Sequence, residues 1–556
     1  MPDTSPVVPS EVAYCKIYPG IGIARVGNSA DGFFIGPEAP GRAPEPEGGF
    51  RDATGHVKRQ AARFRIYAFD SSNRVLHEIT ASSPGAQIEW TVQLANTKAA
   101  WFNFNGVAAG LQTDQHGTPA QRRNSGITQD RGRLAITPPA KSISGRSQQG
   151  AAHRFSEGKF FDIPVPLGEL RTDEEGRLLV LGGAGLSSRT AAGGPITEYA
   201  NNDFWHDDTS DGPVTAKVRV AGQEIPVKGT SWVLVAPPKF APYHQNIVTL
   251  YELMDEVGQG PVPATLSFRN DIYPFFARVA DYQWLNRRAL QGHGPNRGGN
   301  FRDPAIAARL ADNTPGNQSF RQGILTRVRN PRTHSPAEAN SGFMPILSGD
   351  EGDTSTGDPS TWLYVLASQY AMLEQWVAGN FQNDWTGTVS PPPAFAAIAV
   401  ADQPAALDRA ALENCVGGPF FPGIEMTYIA RDTQLYEEPF RFKAGKFQPG
   451  DMTKRMAVPW QADFYECEVH WWPAQRPDDV LTEDAYNHGL QQFPQQAQNG
   501  TLAAKLTARV LWARGVGDGL PQPSPGDNDM VKKWSALGFL EQRITPGGET
   551  LYVEKR

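Results

Sequence analysis

The sequence predicts a β-rich α+β protein, with packed antiparallel sheets in its first half and helices joined by long ordered loops in its second. Three observations predict it. Up to about residue 240, apolar residues recur in short β-branched or alternating runs punctuated by turn residues. Beyond that point they fall at helical spacing. Gly (56) and Pro (46) are well above their roughly 12% average combined share, which argues against an all-helical bundle.

The elements follow in order. Lys16 to Val26 (KIYPGIGIARV) is β-branched and interrupted by glycines. Arg63 to Phe69 and Ile88 to Leu94 alternate polar and apolar residues, as half-buried strands do. Arg177 to Leu181, Ala216 to Val220 and Ser231 to Val235 continue the series, separated by turn signals such as Asn73 and Asp211-Gly212-Pro213. That spacing suggests a sandwich or two packed sheets. Gln245 to Val257 then reads as a helix. Trp362 to Phe381 reads as the clearest one, with Pro359 before it and Gly379 near its end. Ala405 to Cys415, Leu502 to Arg514 and Met530 to Leu540 also read as helical. Gly292 to Ser341, rich in Gly, Asn, Pro and Arg, reads as a long ordered loop. The length of 556 residues corresponds to three to four domains' worth of chain. The texture divides it at 1–240, 241–414 and 415–556, regions that can pack as one unit.

Charge and composition narrow the function. The formal net charge of −7 argues against unspecific nucleic-acid binding, which needs a basic footprint. No apolar run approaches the roughly 20 residues of a membrane span, and Met1 to Pro6 lacks the basic and apolar regions of a signal peptide. The expected location is the cytoplasm, with export by a signal-less route left open. Three cysteines, Cys15, Cys415 and Cys467, exclude a disulfide framework and any four-thiolate metal or iron–sulfur site within one chain. The ten histidines form no HExxH or HxH pair, and no metal site is expected. GxSxG and GxxxxGK[ST] are absent. Gly20 to Gly27 has the wrong spacing for a dinucleotide loop and reads as a glycine-bent strand. His206 to Gly212 fails the EF-hand pattern, because position 218 is Val, and reads as a solvated turn or hydrogen-bonded hairpin.

Pro459 to Val480 (PWQADFYECEVHWWPAQRPDDV) carries the chemistry. Asp463 and Cys467 are four apart, which on a helix places a carboxylate and a thiol on one face. A carboxylate raises a nearby thiol's pKa, so the pair suits proton acceptance better than nucleophilic attack. Trp460, Phe464, Tyr465, Trp471 and Trp472 surround it in sequence. An aromatic core with one buried thiol accounts for the same residues.

This segment resembles the active-site region of the L-lysine ε-oxidase and glycine oxidase family of quinoproteins. The resemblance recurs in Ile17 to Asn28 with Phe34 to Glu38, in Asp207 to Val214, in Gly417 to Glu425 (GGPFFPGIE) and in His470 to Pro477 (HWWPAQRP). It implies a cofactor made from the chain itself, cysteine tryptophylquinone, in which an indole becomes an ortho-quinone bonded to a cysteine sulfur. Carried over, Cys467 matches the cross-linking cysteine and Asp463 the family's aspartate, as base and as an aid to cofactor formation. Trp534 is the implied tryptophan, with Trp512 its competitor. Aromatic neighbours would desolvate such a base and favour its neutral form. The implied reaction converts an amine or amino acid and oxygen into an aldehyde or keto acid, ammonia and hydrogen peroxide, with no external cofactor. Cys415, His470, Trp471, Trp472, Arg476 and His488 are pocket candidates. Arg476 could grip a substrate carboxylate bidentately or pair with Asp463, Asp478 or Asp479. Cys15 is expected to be inert. The family further implies a maturing flavoprotein oxygenase and a homo-oligomer. The chain is shorter than better-known members, a departure that bears on the loops shaping the substrate pocket. Two rival readings stand: a binding or scaffold protein that never forms the quinone, and an oxidase of a peptide or protein amine.

Overall fold

The computed structural model describes residues 9–103, 121–258, 265–348, 357–389, 391–417, 426, 428–466, 472–519 and 525–556. Twelve strands of the first half join one sheet: β1 (Tyr14–Tyr18), β2 (Ile21–Arg25), β3 (Phe33–Ile35), β4 (Arg59–Phe69), β5 (Val75–Ile79), β6 (Ala86–Val92), β7 (Lys141–Ser144), β8 (Glu169–Thr172) and β9 (Leu178–Leu181), followed, after a two-stranded ribbon β10 (Ser187–Arg189) and β11 (Trp205–Asp207), by β12 (Ser210–Val220), β13 (Gln223–Ile225) and β14 (Ser231–Ala236). The order β8-β9-β4-β2-β14-β12-β6-β7 forms the main path.

The long strand β4 explains how the sheet folds over itself. Its first half pairs with β9, β3 and β2, and its second half with β1 and β5. The alternation of Arg63 to Phe69 suggested one wet face. Instead nearly every residue of β4 is buried, including Arg65, whose guanidinium meets Glu38 and Glu78. The sheet is mixed, because β14 runs parallel to β2, with Leu234 opposite Ile23. Gly22 lets the Phe64 ring lie against β2, since a Cβ there would stand 2.4 Å from it.

Helices follow from Thr249 onward. Thr249 and Glu252 form a capping box at the start of α1 (Leu250–Val257), shorter than the Gln245 to Val257 expected. Gly292 to Ser341 is not one loop. After α2 (Tyr273–Asp281) and α3 (Arg287–His293), it holds α4 (Pro304–Ala311) and α5 (Gln318–Leu325). The Asp303 carboxylate caps α4 and Pro304 opens it, signals masked by the surrounding glycines and asparagines. The Trp362 to Phe381 helix is also shorter than its periodicity: α6 is Ala367–Ala378. Trp362 to Leu366 is buried outside the helix, with Trp362 bridged to Ser348 and Leu363 N–H donating to Leu347 O. α7 (Gln403–Leu412) matches its expected site. Leu502 to Arg514 is not helical beyond one turn at Leu502–Ala504. Met530 to Leu540 splits between the end of a helix and the start of a terminal hairpin, β15 (Phe539–Ile544) and β16 (Thr550–Lys555). No described helix is long and apolar enough to cross a membrane.

One apolar core runs from Ile17 and Ile23 through Val233 and Phe240 to Trp460, Trp534 and Leu540. The second half is therefore built onto the sheet. The strap after β14 makes the junction: Phe240 N–H donates to Gln475 O, and Leu540 N–H donates to Phe240 O.

Candidate active site

Four segments far apart in sequence converge where the sheet meets the C-terminal region. They are the ribbon β10–β11 with the loop before it, the turn at Lys98, the helix α8 (Trp460–Glu466), and the end of α11 (Pro525–Lys533) with its continuation Trp534. α8 starts after Pro459, and Asp463 lies three residues beyond Trp460, one helical turn along. α11 packs across α8, where Gly526 has no room for a Cβ because the Tyr465 ring occupies the place.

A buried network fixes α8. The Asp207 carboxylate accepts from Lys98 Nζ at 2.8 Å, Trp460 N at 3.0 Å, Asn96 Nδ2 at 2.9 Å and Thr209 Oγ1 at 2.8 Å. Lys98 also donates to Ala457 O at 3.0 Å. Both Lys98 and Asp207 are fully buried. Burial holds the Lys98 ammonium below its ordinary range, opposed first by Asp207 and also by the charge of Asp463. Asp463 thus sits within the field of Lys98, buried at 2% exposure. The His206 to Gly212 segment is not a solvated turn. His206 to Asp211 are buried, and their polar side chains serve this junction. The His206 ring meets Ser188 Oγ at 2.8 Å, and burial lowers its pKa to about 4.

Trp534 meets α8 edge to face: its ring lies 5.5 Å from that of Trp460, which in turn meets Phe464 at 4.9 Å. On another side the Gly183 to Leu186 loop lies against the indole. Gly185 adopts φ +75°, and a Cβ there would stand 2.3 Å from Trp534 Cζ2 and 2.9 Å from Cη2. Only glycine combines that backbone conformation with that approach. The loop is tied down twice. Gln461 of α8 donates to Gly185 O at 3.1 Å and accepts from Ser187 Oγ at 2.6 Å. Leu186 N–H donates to Asp208 Oδ2 at 3.0 Å, and the same carboxylate lies under Gly183, leaving no room for a Cβ. Burial pushes the Asp208 carboxyl up to about 7, against the pull of the Leu186, Ala184 and Gly185 N–H groups. Among the described residues its Oδ1 is buried without a hydrogen-bond partner.

Asp463 is buried on α8 one turn after Trp460, and Trp534 packs on the Trp460 ring. Cys467, His470 and Trp471 lie outside the described residues, as does most of Gly417 to Glu425. Trp512 is fixed differently: Nε1 donates to Gly538 O, and the ring meets Phe240 and the Arg476 guanidinium. Arg476 approaches Asp478 at 3.8 Å, both buried, one of the ion pairs expected for it. Trp472 is buried, and His488 is exposed on α9 (Glu483–Gln492). Cys415 is buried at the end of α7, where Arg25 Nη2 donates to its sulfur at 3.8 Å and Arg25 Nη1 donates to Pro237 O on the strap. Cys15 is buried in β1, its thiol pushed up to about 12 by burial. Among the described residues no group of three or more His, Cys, Asp or Glu is placed to hold a metal ion.

Sequence reasoning missed Gly185, Lys98, Asp208 and Gln461. The Gly182-Gly183-Ala184-Gly185 run was the one signal for the loop, and Asp207-Asp208 already stood in a segment of family resemblance.

Comparison with known proteins gives concordant results. Residues 18–235 match the L-lysine ε-oxidase N-terminal family model, and residues 345–483 the L-lysine ε-oxidase C-terminal domain model, together more than half the chain. The L-lysine 6-oxidase of Marinomonas mediterranea is 27% identical over 678 aligned positions, covering 95% of this chain and 87% of the relative. The fold matches solved structures of L-Lys ε-oxidase from the same organism, one a Schiff base intermediate with L-Lys. Their TM-score is 0.72 at 24% identity, covering 97% of this chain and 94% of theirs.

Proposed function

We propose, from the premise that this chain belongs to the L-lysine ε-oxidase family, that it oxidises a primary amine or amino acid through a quinone made from its own Trp534 and Cys467. Its relation to L-lysine 6-oxidase supports amine or amino-acid oxidation. The observation that supports the finer reading is the packing of Trp534 on Trp460, one helical turn before the buried Asp463. A buried carboxylate one turn from the residue on which this indole packs suits a base near a modified tryptophan.

The residues present fit such a cofactor. Gly185 packs bare backbone against the Cζ2–Cη2 edge of Trp534, where a side chain has no room. An ortho-quinone of Trp534, thioether-bonded to Cys467, supplies an electrophilic carbonyl and a two-electron sink, which no unmodified side chain offers. Asp463 takes the proton from the substrate carbon bearing the nitrogen. Asp463 is buried, and Lys98, held by Asp207, lies within the field of its charge. Overall, R–CH2–NH2 with O2 and water gives R–CHO, NH3 and H2O2, and the electron pair passes from substrate to oxygen. Maturation uses a flavoprotein oxygenase, and the working form is a homo-oligomer.

Protein co-produced with that flavoprotein is the sample that tests the function. Peroxide release is measured with L-lysine, glycine and other primary amines. Saturable peroxide formation with one amine, matched by equal ammonia, is expected. Mature protein that turns over none of them overturns the assignment.

A further inference from the structure

We infer that this protein carries a second small-molecule site, in its helical region, for an apolar organic acid. A cavity of about 480 Å³ opens between α2, α3, α5 and the strand-like segment at Met344 to Leu347. That volume lies within the range of ligand pockets, roughly 300–1,000 Å³. Its floor is apolar, with Phe275 and Phe276 of α2 and Phe301 beneath it. Three arginines line it from three separate segments: Arg288 on α3, Arg297 in the following loop, and Arg327 just beyond α5.

These arginines stand apart from their neighbours. Arg287 pairs with Asp479 at 3.4 Å, Arg278 with Glu252 at 2.6 Å, and Arg302 with Asp281. The side chains of Arg288, Arg297 and Arg327 have no hydrogen bond or ion pair among the described residues, and no Asp or Glu lines the cavity. Of the other titratable groups in the lining, His293 meets Gly299 O at 2.8 Å and burial lowers its pKa, while burial raises that of Tyr282. In a chain with net charge −7, three unneutralised cations around an apolar hollow form a complementary surface for a carboxylate on an apolar body. A bare phosphate would leave the floor unused, and an apolar alcohol would leave the arginines unused. None of the lining residues belongs to α8, the Gly183 to Leu186 loop or Trp534, so this site stands independently of the proposed oxidase centre.

Calorimetric titration of the full-length protein with decanoate tests the inference, with decan-1-ol and decylamine as comparison probes. Decanoate is expected to bind saturably at one site per chain, more weakly as salt rises, with decan-1-ol at least tenfold weaker and decylamine silent. The triple variant R288Q/R297Q/R327Q changes exposed side chains only and should weaken decanoate at least tenfold. Gly323→Trp provides a second test. Gly323 lines the cavity from α5, and a Cβ there meets nothing within 4 Å, so the indole can fill the hollow without disturbing the helix. It should abolish decanoate binding while circular dichroism is unchanged. Equal binding of decan-1-ol and decanoate, an unaffected triple variant, or full binding by Gly323→Trp would each overturn the site, as would no decanoate binding at all.

Discussion

Gly185→Ala perturbs the contact on which the proposed centre depends. The residue holds φ +75°, where an alanine costs roughly 1–2 kcal/mol. Its Cβ would also stand 2.3 Å from Trp534 Cζ2, about 1 Å inside contact distance, and the loop cannot retreat freely because Gln461 and Asp208 hold it. Overpacking of that kind costs typically 1–3 kcal/mol, so the variant should lose about 2–5 kcal/mol, with Trp534 displaced. Gly222→Ala isolates the first contribution: it has φ +81° with nothing within 4 Å of the added Cβ. Urea unfolding followed by tryptophan fluorescence gives both stabilities. Mass spectrometry of protein co-produced with the flavoprotein gives the fraction with a Cys467–Trp534 link. Gly222→Ala should lose about 1–2 kcal/mol and mature fully. Gly185→Ala should lose more and mature poorly. Indistinguishable variants on both readouts would refute the idea that this loop holds Trp534 in place.

Other outcomes follow from the same junction. Asp463→Asn, with rates expressed per mature quinone, should lower kcat by about 10²–10⁴-fold at unchanged fold, since it removes the base; a rate within threefold of the parent excludes that role. Lys98→Met strands the buried Asp207 carboxylate and should cost about 3–5 kcal/mol, part of which Lys98→Met/Asp207→Asn recovers; thermal denaturation of both variants reads this, and an equal loss in the two would contradict it. Asp208 keeps its proton in the folded state up to about pH 7 but releases it near 3.9 when unfolded. The folded state therefore binds more protons between these values, and stability falls as pH rises through that window. Asp211 and Asp408, raised by burial to about 6, act in the same direction. Asp208→Asn should flatten the upper part of the slope, between pH 5 and 8, in urea midpoints; an unchanged slope would show that Asp208 does not titrate there.

What could be read from sequence depended on whether a property was local. The strands at Ile88, Ala216 and Ser231 lie where alternation and apolar runs put them, because neighbours along the chain decide those patterns. Trp362 to Leu366 has helical spacing but is buried in bridges to Ser348 and Leu347, a tertiary contact that overrides periodicity. The short helix α4 was hidden because a proline and an aspartate cap define its start amid glycines and asparagines. At the candidate site, Asp463 was singled out by its spacing from Cys467, and Trp534 by family resemblance alone. Their partners were not, because Gly185, Lys98 and Asp208 acquire meaning only when distant segments meet. Asp207 and Asp208 read as solvated for the same reason. The Asp207 carboxylate, in a polar run, looks exposed until the lysine that pairs with it, at position 98, is known to arrive from the turn after β6.

The most direct test is the intact mass of the protein co-produced with its flavoprotein, followed by peptide mapping of Cys467. Conversion of Trp534 to a quinone bonded to that sulfur adds two oxygens and removes four hydrogens, and the account predicts that mass with a single cross-linked peptide joining Cys467 to Trp534. An unmodified mass despite an active flavoprotein would contradict it and place the chain among binding or scaffold proteins. A link to Trp512 instead would contradict the assignment of Trp534.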